Sequence, residues 1–416
     1  MSDDDLAIHI NPKADSAFTA VFLLEIAAVF VVLLSKAGHV ACPLGPVTAA
    51  MALLVSCVGT LAVVQLVKRA SSYVGVTLSR AQVFPGHPLR KVRARRKFTD
   101  QMWQLTIHAS MAALEYYILF VEDGVQPWWH SPRALWEPHP ISGQQNKPSI
   151  HLLYLLQMAI WLVTCFQHRF VEEKHKDYFL MFAHHLVTIA LVGCSYSYNY
   201  LRVGVVVLYL HDVSDVLGDL TKIFNYCKLE GARGLFLLEM CFAALLYSWA
   251  YYRLYLFPTK VIVDGVVVGA REFAAGPTSA CLADWDREQS AEASGSAWLR
   301  QLVGGGASQD AALWASRGFP EGYAAGDGSF QLWAHMAALP THPCLALYWQ
   351  MVALLGALQT MQAVWYAMFI RILYRVVTAP KEEEIHAVGR EVYEGDSDDE
   401  STGEASPPPP SAKSRR

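Results

Sequence analysis

The apolar residues of this 416-residue chain fall in blocks of about twenty, the length a helix needs to cross a bilayer. Blocks of that length leave few folds open, because a backbone in hydrocarbon must satisfy its hydrogen bonds internally, as helices do. Hydrophobic residues make up 53% of the chain and charged residues only 17%, well below the roughly 25% of soluble domains. The sequence predicts an all-α polytopic membrane protein of about eight spans, near 17–36, 46–67, 102–121, 150–167, 177–195, 201–221, 234–257 and 343–373. The opening residues lack the positive n-region of a cleaved signal peptide. A formal net charge of −4 argues against bulk nucleic-acid binding, and eight cysteines without CxxC pairs argue against a disulfide scaffold or zinc ribbon.

Short-loop charge sets the expected orientation. Lys68, Arg69, Arg90, Lys91, Arg93, Arg95, Arg96 and Lys97 lie between spans two and three, which places that loop and both termini in the cytosol. Lys174, Lys176, Lys222, Lys228, Arg371, Arg375 and Lys381 then share that side. Trp128, Trp129, Trp136, Tyr196, Tyr198, Tyr200, Tyr251, Tyr252 and Tyr255 collect at the opposite headgroup layer. Residues 1–96 form an N-terminal unit with two spans, 97–375 the main domain, and 376–416 an acidic tail. A Gly-, Ala- and Ser-rich insert at 258–342 is expected on the lumenal side, where Cys281 and Cys344 could meet. The tail from 381 carries ten acidic residues against five basic ones and a PPPP run, so disorder is expected. Ser397 and Ser401, each with Glu three residues on, suit an acidophilic kinase.

An ionisable side chain within a span costs roughly 2.5–3.5 kcal/mol to insert, so it needs a reason. Span five holds His184, His185 and Thr188, and span six holds His211, Asp212, Ser214 and Asp215, with Asp219 and Lys222 near its end. Measured from the flanking lysines, His184 and His211 lie roughly 12 and 16 Å deep, a shared level for two antiparallel helices. His211 and Asp215 are i,i+4 and Asp212 and Asp215 are i,i+3, so each pair shares a face. His184 and Thr188 share another, while His185 points about 100° away. Three readings compete: polar groups that lock helix packing, a metal site, and acid–base or nucleophilic catalysis. The HxxHH box of membrane di-iron enzymes is absent, because Met181 stands three before His184. Five such groups in one layer favour catalysis without metal. Glu115 in span three and Glu25 in span one are further intramembrane acids; Glu25 is expected to pack or snorkel, and Glu115 has no assigned role.

The segment from Phe182 to Tyr226 resembles the Lag motif of ceramide synthases, sphingoid-base N-acyltransferases of the TLC (TRAM–Lag–CLN) family. The matching positions are His184, His185, Thr188, Ser195, Tyr196, Asn199, Arg202, Gly204, His211, Asp212, Asp215, Lys222 and Tyr226. FTDQMWQ at 98–104 and PWWHSPRALW at 127–136 add to the likeness, which covers about 97–375. The long insert departs from the family's short loop before the last span, so acyl-chain length does not carry over. The resemblance implies a six-helix barrel of spans three to eight around an intramembrane cavity, in the endoplasmic reticulum membrane. It implies a fatty acyl-CoA co-substrate, a sphingoid base, no further cofactor and surrounding membrane lipids, with a homo- or hetero-dimer as a candidate assembly. His184, His185, His211, Asp212 and Asp215 are then the candidate catalytic residues, and Thr188, Ser214, Asn199, Arg202 and Lys222 the candidate substrate-binding ones. A non-enzymatic TLC relative in lipid sensing, trafficking or translocon association is the alternative.

Overall fold

The computed structural model describes residues 12–36, 45–80, 92–137, 144–171, 178–229, 236–270 and 347–378, together with Leu89, Gly231 and Leu345. The Cys281 and Cys344 pairing, Lys174 and Lys176, and the tail with Ser397 and Ser401 lie outside the described residues.

Nine helices carry the described chain: α1 (Pro12–Lys36), α2 (Pro46–Arg80), α3 (Val92–Tyr116), the short α4 (Pro127–His130), α5 (Pro148–Phe170), α6 (Tyr178–Ser197), α7 (Leu201–Tyr226), α8 (Leu237–Ser248) and α9 (Tyr348–Thr378). α3 runs on as a π-helical turn over Tyr117–Val121, and α8 continues as a π-helix over Trp249–Gly269. Five of these are long and apolar enough to cross a membrane: Pro12–Leu34, Pro46–Leu78, Pro148–Phe170, Tyr178–Ser197 and Tyr348–Thr378. The protein is therefore an all-α, multi-pass membrane protein. α3, α7 and α8 with its π extension have the length but carry the polar side chains, which is why hydropathy alone passes over them.

Packing closes a ring. α3 lies along α7, α7 along α8 and its π extension, that extension against α9, α9 against α6, α6 against α5, and α5 back against α3. This is the six-helix barrel that the resemblance implies. α1 and α2 sit outside the ring, α1 against α6 and α2 against α3 and α5. Arg169 of α5 ties α1 in: its guanidinium pairs with Asp15 at 3.1 Å and donates to Thr19 Oγ1 at 2.7 Å, while Tyr178 Oη donates to Asp15 Oδ1 at 2.7 Å.

Two expectations about the seventh span change. It does not end at 257, and the insert does not begin at 258, because the helix passes through Pro258 to Gly269. Proline lacks the N–H that an α-helix interior needs, and π-type winding is one way a helix accommodates such a local break. The apolar run VIVDGVVVG that follows packs inward, with Val261, Val263 and Val266 buried. The longer helix also relocates Tyr251, Tyr252 and Tyr255. Arg253, between them, bonds Ser214 and Asp215. These tyrosines therefore sit level with the polar layer of α7, not at the end of a span.

Candidate active site

A cavity enclosing about 870 Å³ of non-atom space, counting its open part, lies inside the ring. Most of its wall is aliphatic or aromatic. Trp136, Tyr200 and Tyr348 contribute to one part of it, where Trp136 Nε1 donates to the Gly265 carbonyl at 2.7 Å and Tyr348 Oη to that of Val266 at 3.1 Å. His184 and Thr188 of α6 and His211, Asp212 and Asp215 of α7 supply the polar patch. Antiparallel α6 and α7 thus bring together the layer anticipated from the sequence.

Each side chain is held differently. The His184 ring is gripped edge-to-face by Trp161 and Trp365, with centroids 5.3 and 5.2 Å away. Its Nδ1 is buried and has no hydrogen-bond partner among the described residues. Thr188 Oγ1 donates to the His184 carbonyl at 2.8 Å, which fixes the hydroxyl to its own helix. His211 Nδ1 lies 2.7 Å from the Val207 carbonyl. A carbonyl can only accept, so Nδ1 carries the hydrogen, and Nε2 of the neutral ring keeps its lone pair. That Nε2 also has no partner among the described residues.

The carboxylates are anchored by residues from other helices. Gln157 Nε2 donates to Asp212 Oδ2 at 2.8 Å and to the wholly buried Glu115 at 3.0 Å, while its Oε1 accepts from Trp161 Nε1 at 3.0 Å. One amide thereby links Asp212 to the indole that grips His184. Asp215 pairs with Arg253 at 2.5 Å. Arg253 is 2% exposed. It also donates to Ser214 Oγ at 2.6 Å, to the His211 carbonyl at 2.8 Å and to Gln362 Oε1 at 2.7 Å, and its guanidinium carbon lies 3.8 Å from the Trp249 ring centre. Below this layer, Asp219 accepts from Gln101 at 2.5 Å and meets His108 Nδ1 at 2.7 Å. One donor atom each of His108, Asp212 and Asp215 lie within 4.8 Å of one another, a spacing a cation would accept. Arg253 and Gln157 already serve the two carboxylates.

Several candidates have other places. His185 turns away from the cavity, as the 100° step requires: its Nδ1 donates to the Met181 carbonyl at 2.6 Å, and its ring stacks on His168 at 5.3 Å. Ser214 faces Arg253 and does not line the cavity. Asn199 is a turn residue with φ +58°, donating to the Gln144 carbonyl at 3.0 Å and accepting from Asn146 at 2.7 Å. Arg202 braces the chain after α4 through the Ala134 and Glu137 carbonyls at 2.8 and 2.7 Å and lies outside the cavity wall. Lys222 lies beyond Asp219 on α7 and outside the cavity wall. The sequence pattern does not single out His108, Gln157 or Arg253. A charge in the apolar stretch WAYYRLYLF is itself a signal, obscured by ending the span at 257.

A closed ring of membrane helices with imidazoles and carboxylates on an inner apolar wall defines a multi-pass membrane protein with a polar site inside its helical barrel. Residues 97–371 match the TLC domain, and the chain belongs to that family. Among curated relatives, human ceramide synthase 5 is 35% identical over 134 residues, covering 32% of each chain. Mouse ceramide synthase 4 is 36% identical over 171 residues, 41% of this chain and 40% of its own. The Arabidopsis thaliana ceramide synthase LOH2 is 32% identical over 166 residues, 40% of this chain and 52% of its own. The matched segments thus span about a third to a half of these relatives.

Proposed function

We propose that the protein is a ceramide synthase of the endoplasmic reticulum membrane, transferring the acyl group of a fatty acyl-CoA to a sphingoid long-chain base. One observation carries the proposal: two imidazole nitrogens without partners among the described residues, His184 Nδ1 and His211 Nε2, lie on the wall of one apolar cavity beside Asp212 and Asp215. Unbonded imidazole nitrogens in an apolar tube suit acyl chemistry on a long chain better than packing, which would leave polar atoms bonded.

In the proposed sequence His184 is the nucleophile. Its nitrogen attacks the thioester carbonyl, the C–S bond breaks, the ring's N–H proton passes to sulfur, and CoA leaves as the thiol from an acyl-imidazole. The long-chain base arrives as an ammonium ion, which cannot attack until a base takes a proton. His211 Nε2 takes it, and the amine then displaces His184, returning a second proton to that ring, as the C–N amide bond forms. Asp215, with Arg253, holds the α7 face on which His211 sits. Asp212 is held through Gln157 against Trp161 and is available as an acid–base partner. Thr188 keeps the His184 face of α6 in register.

Purified protein given acyl-CoA and sphinganine is expected to release free thiol and form the amide, and acyl-CoA alone is expected to leave one acyl mass on His184. Thiol release and amide formation unaffected by both His184→Ala and Asp215→Ala would remove the site assignment. Absence of any transfer by the intact protein would favour a non-enzymatic family member. Turnover without a trapped adduct would favour direct attack on the thioester.

A further inference from the structure

The proposed transfer leaves a proton behind, and a route for that proton has meaning only if the protein is the acyltransferase proposed above. An ammonium, R–NH3+, and a thioester, R′CO–S–CoA, give an amide, R′CO–NH–R, a thiol, HS–CoA, and one H+. Of the three ammonium hydrogens, one stays on nitrogen, one ends on sulfur, and the third must leave. The aliphatic wall offers it no carrier. On the other side of the polar layer, Asp212, Asp215 and Asp219 run along one face of α7 at i, i+3 and i+7. His108 of α3 stands against that face. One of its nitrogens lies within 4.8 Å of a carboxylate oxygen on both Asp212 and Asp215, a gap that a single water spans. Its Nδ1 is bonded to Asp219 Oδ2 at 2.7 Å, and Gln101 fixes the other oxygen of Asp219 at 2.5 Å. Lys222 follows Asp219 by three residues, toward the end of α7 that the loop charges assign to the cytosol.

We infer that His108 is a proton relay, passing the proton released in the cavity from the Asp212–Asp215 pair to Asp219 and out along the last turns of α7. The imidazole takes a proton from the Asp212–Asp215 side and gives one from Nδ1 to the Asp219 carboxylate, so the ring ends neutral, as it began. Asp219 then yields its proton to solvent. An imidazole suits this work, because it carries a proton near neutral pH and exchanges it quickly. A side chain that only joined α3 to α7 would need a single donor toward Asp219. An amide supplies that donor and carries no proton.

The two roles separate in the full-length protein, purified in lipid nanodiscs. His108→Gln keeps a donor toward Asp219, and His108→Ala opens space for added imidazole. The relay predicts that His108→Gln keeps its thermal midpoint and its KM for both substrates, loses kcat by at least about tenfold, as removal of a proton-transfer group does, and shows a larger solvent deuterium isotope effect. It also predicts that free imidazole restores turnover to His108→Ala and not to His184→Ala. A His108→Gln protein within about twofold of wild-type kcat overturns the relay. So does a His108→Ala loss that imidazole leaves unchanged and that follows the thermal midpoint. Wild-type protein that transfers no acyl group overturns the proposed function and the relay with it. An active wild type beside a normal His108→Gln overturns the relay alone.

Discussion

Arg253→Met is the most informative single change in the barrel. The guanidinium is buried against Trp249, joins Asp215 at 2.5 Å, and bonds Ser214, the His211 carbonyl and Gln362. Methionine keeps much of the volume and removes every donor. Asp215, partly exposed on the cavity wall, would then lose its guanidinium partner, and breaking one half of a buried pair costs at most about 3–5 kcal/mol. Ser214 keeps its bonds to the Leu210 and His211 carbonyls, whereas the buried Gln362 amide loses the donor to its oxygen, and both losses overlap the same figure. The opposite comparison gives the test its edge. In Arg253→Met/Asp215→Asn both charges are gone, and a neutral amide replaces the stranded carboxylate. Replacing a whole buried pair is often neutral, so the double variant should recover most of the lost stability. It should not recover turnover, because Asp215 belongs to the proposed site. Reversible unfolding in mixed micelles, followed by tryptophan fluorescence, reads the difference. A single variant that loses less than about 1 kcal/mol, or a double variant less stable than the single, would refute the claim that this ion pair is the barrel's principal internal charge contact.

His211→Ala should lower amide formation by about 10²–10⁴-fold while the acyl adduct on His184 still forms and accumulates, as intact-mass spectra would show. Gly204→Ala should narrow the cavity, because a Cβ there would overlap the Tyr154 hydroxyl and approach Ser195 Oγ to 3.1 Å. Overpacking of that kind costs about 1–3 kcal/mol, and turnover of long acyl chains should fall more than that of short ones in a chain-length series. At Asn199, whose φ is +58°, Gly should be tolerated better than Ala. Both lose the side-chain bonds, but only Ala adds the roughly 1–2 kcal/mol of left-handed strain, a difference that paired melting curves would resolve.

The polar layer of α6 and α7 is legible in the sequence because helical spacing is a local property. His184 with Thr188, and His211 with Asp212 and Asp215, share faces by arithmetic alone, and the rotation of His185 away follows from the same step. What supports that layer is not legible. Gln157, Arg253 and His108 come from α5, the extension of α8 and α3, and which of them meets which carboxylate depends on the order in which the ring closes. The places of Asn199 and Arg202 are hidden for a related reason. They match the family pattern and are polar, and only the folded chain shows that one takes a positive φ and the other bonds two backbone carbonyls. The seventh span reads short because Pro258 looks like a terminator, whereas here the wider winding carries the helix past it.

The tie between Arg169, Asp15, Thr19 and Tyr178 makes the unit of inheritance and the unit of cooperativity different lengths. Kinship begins at residue 97, yet the brace that joins the end of α5 to the start of α6 reaches back to residue 15. A shortened chain beginning at the kinship boundary would retain every cavity-lining side chain and lose the strut that steadies the hairpin bearing His184, so the inherited segment and the self-sufficient one should not be expected to coincide.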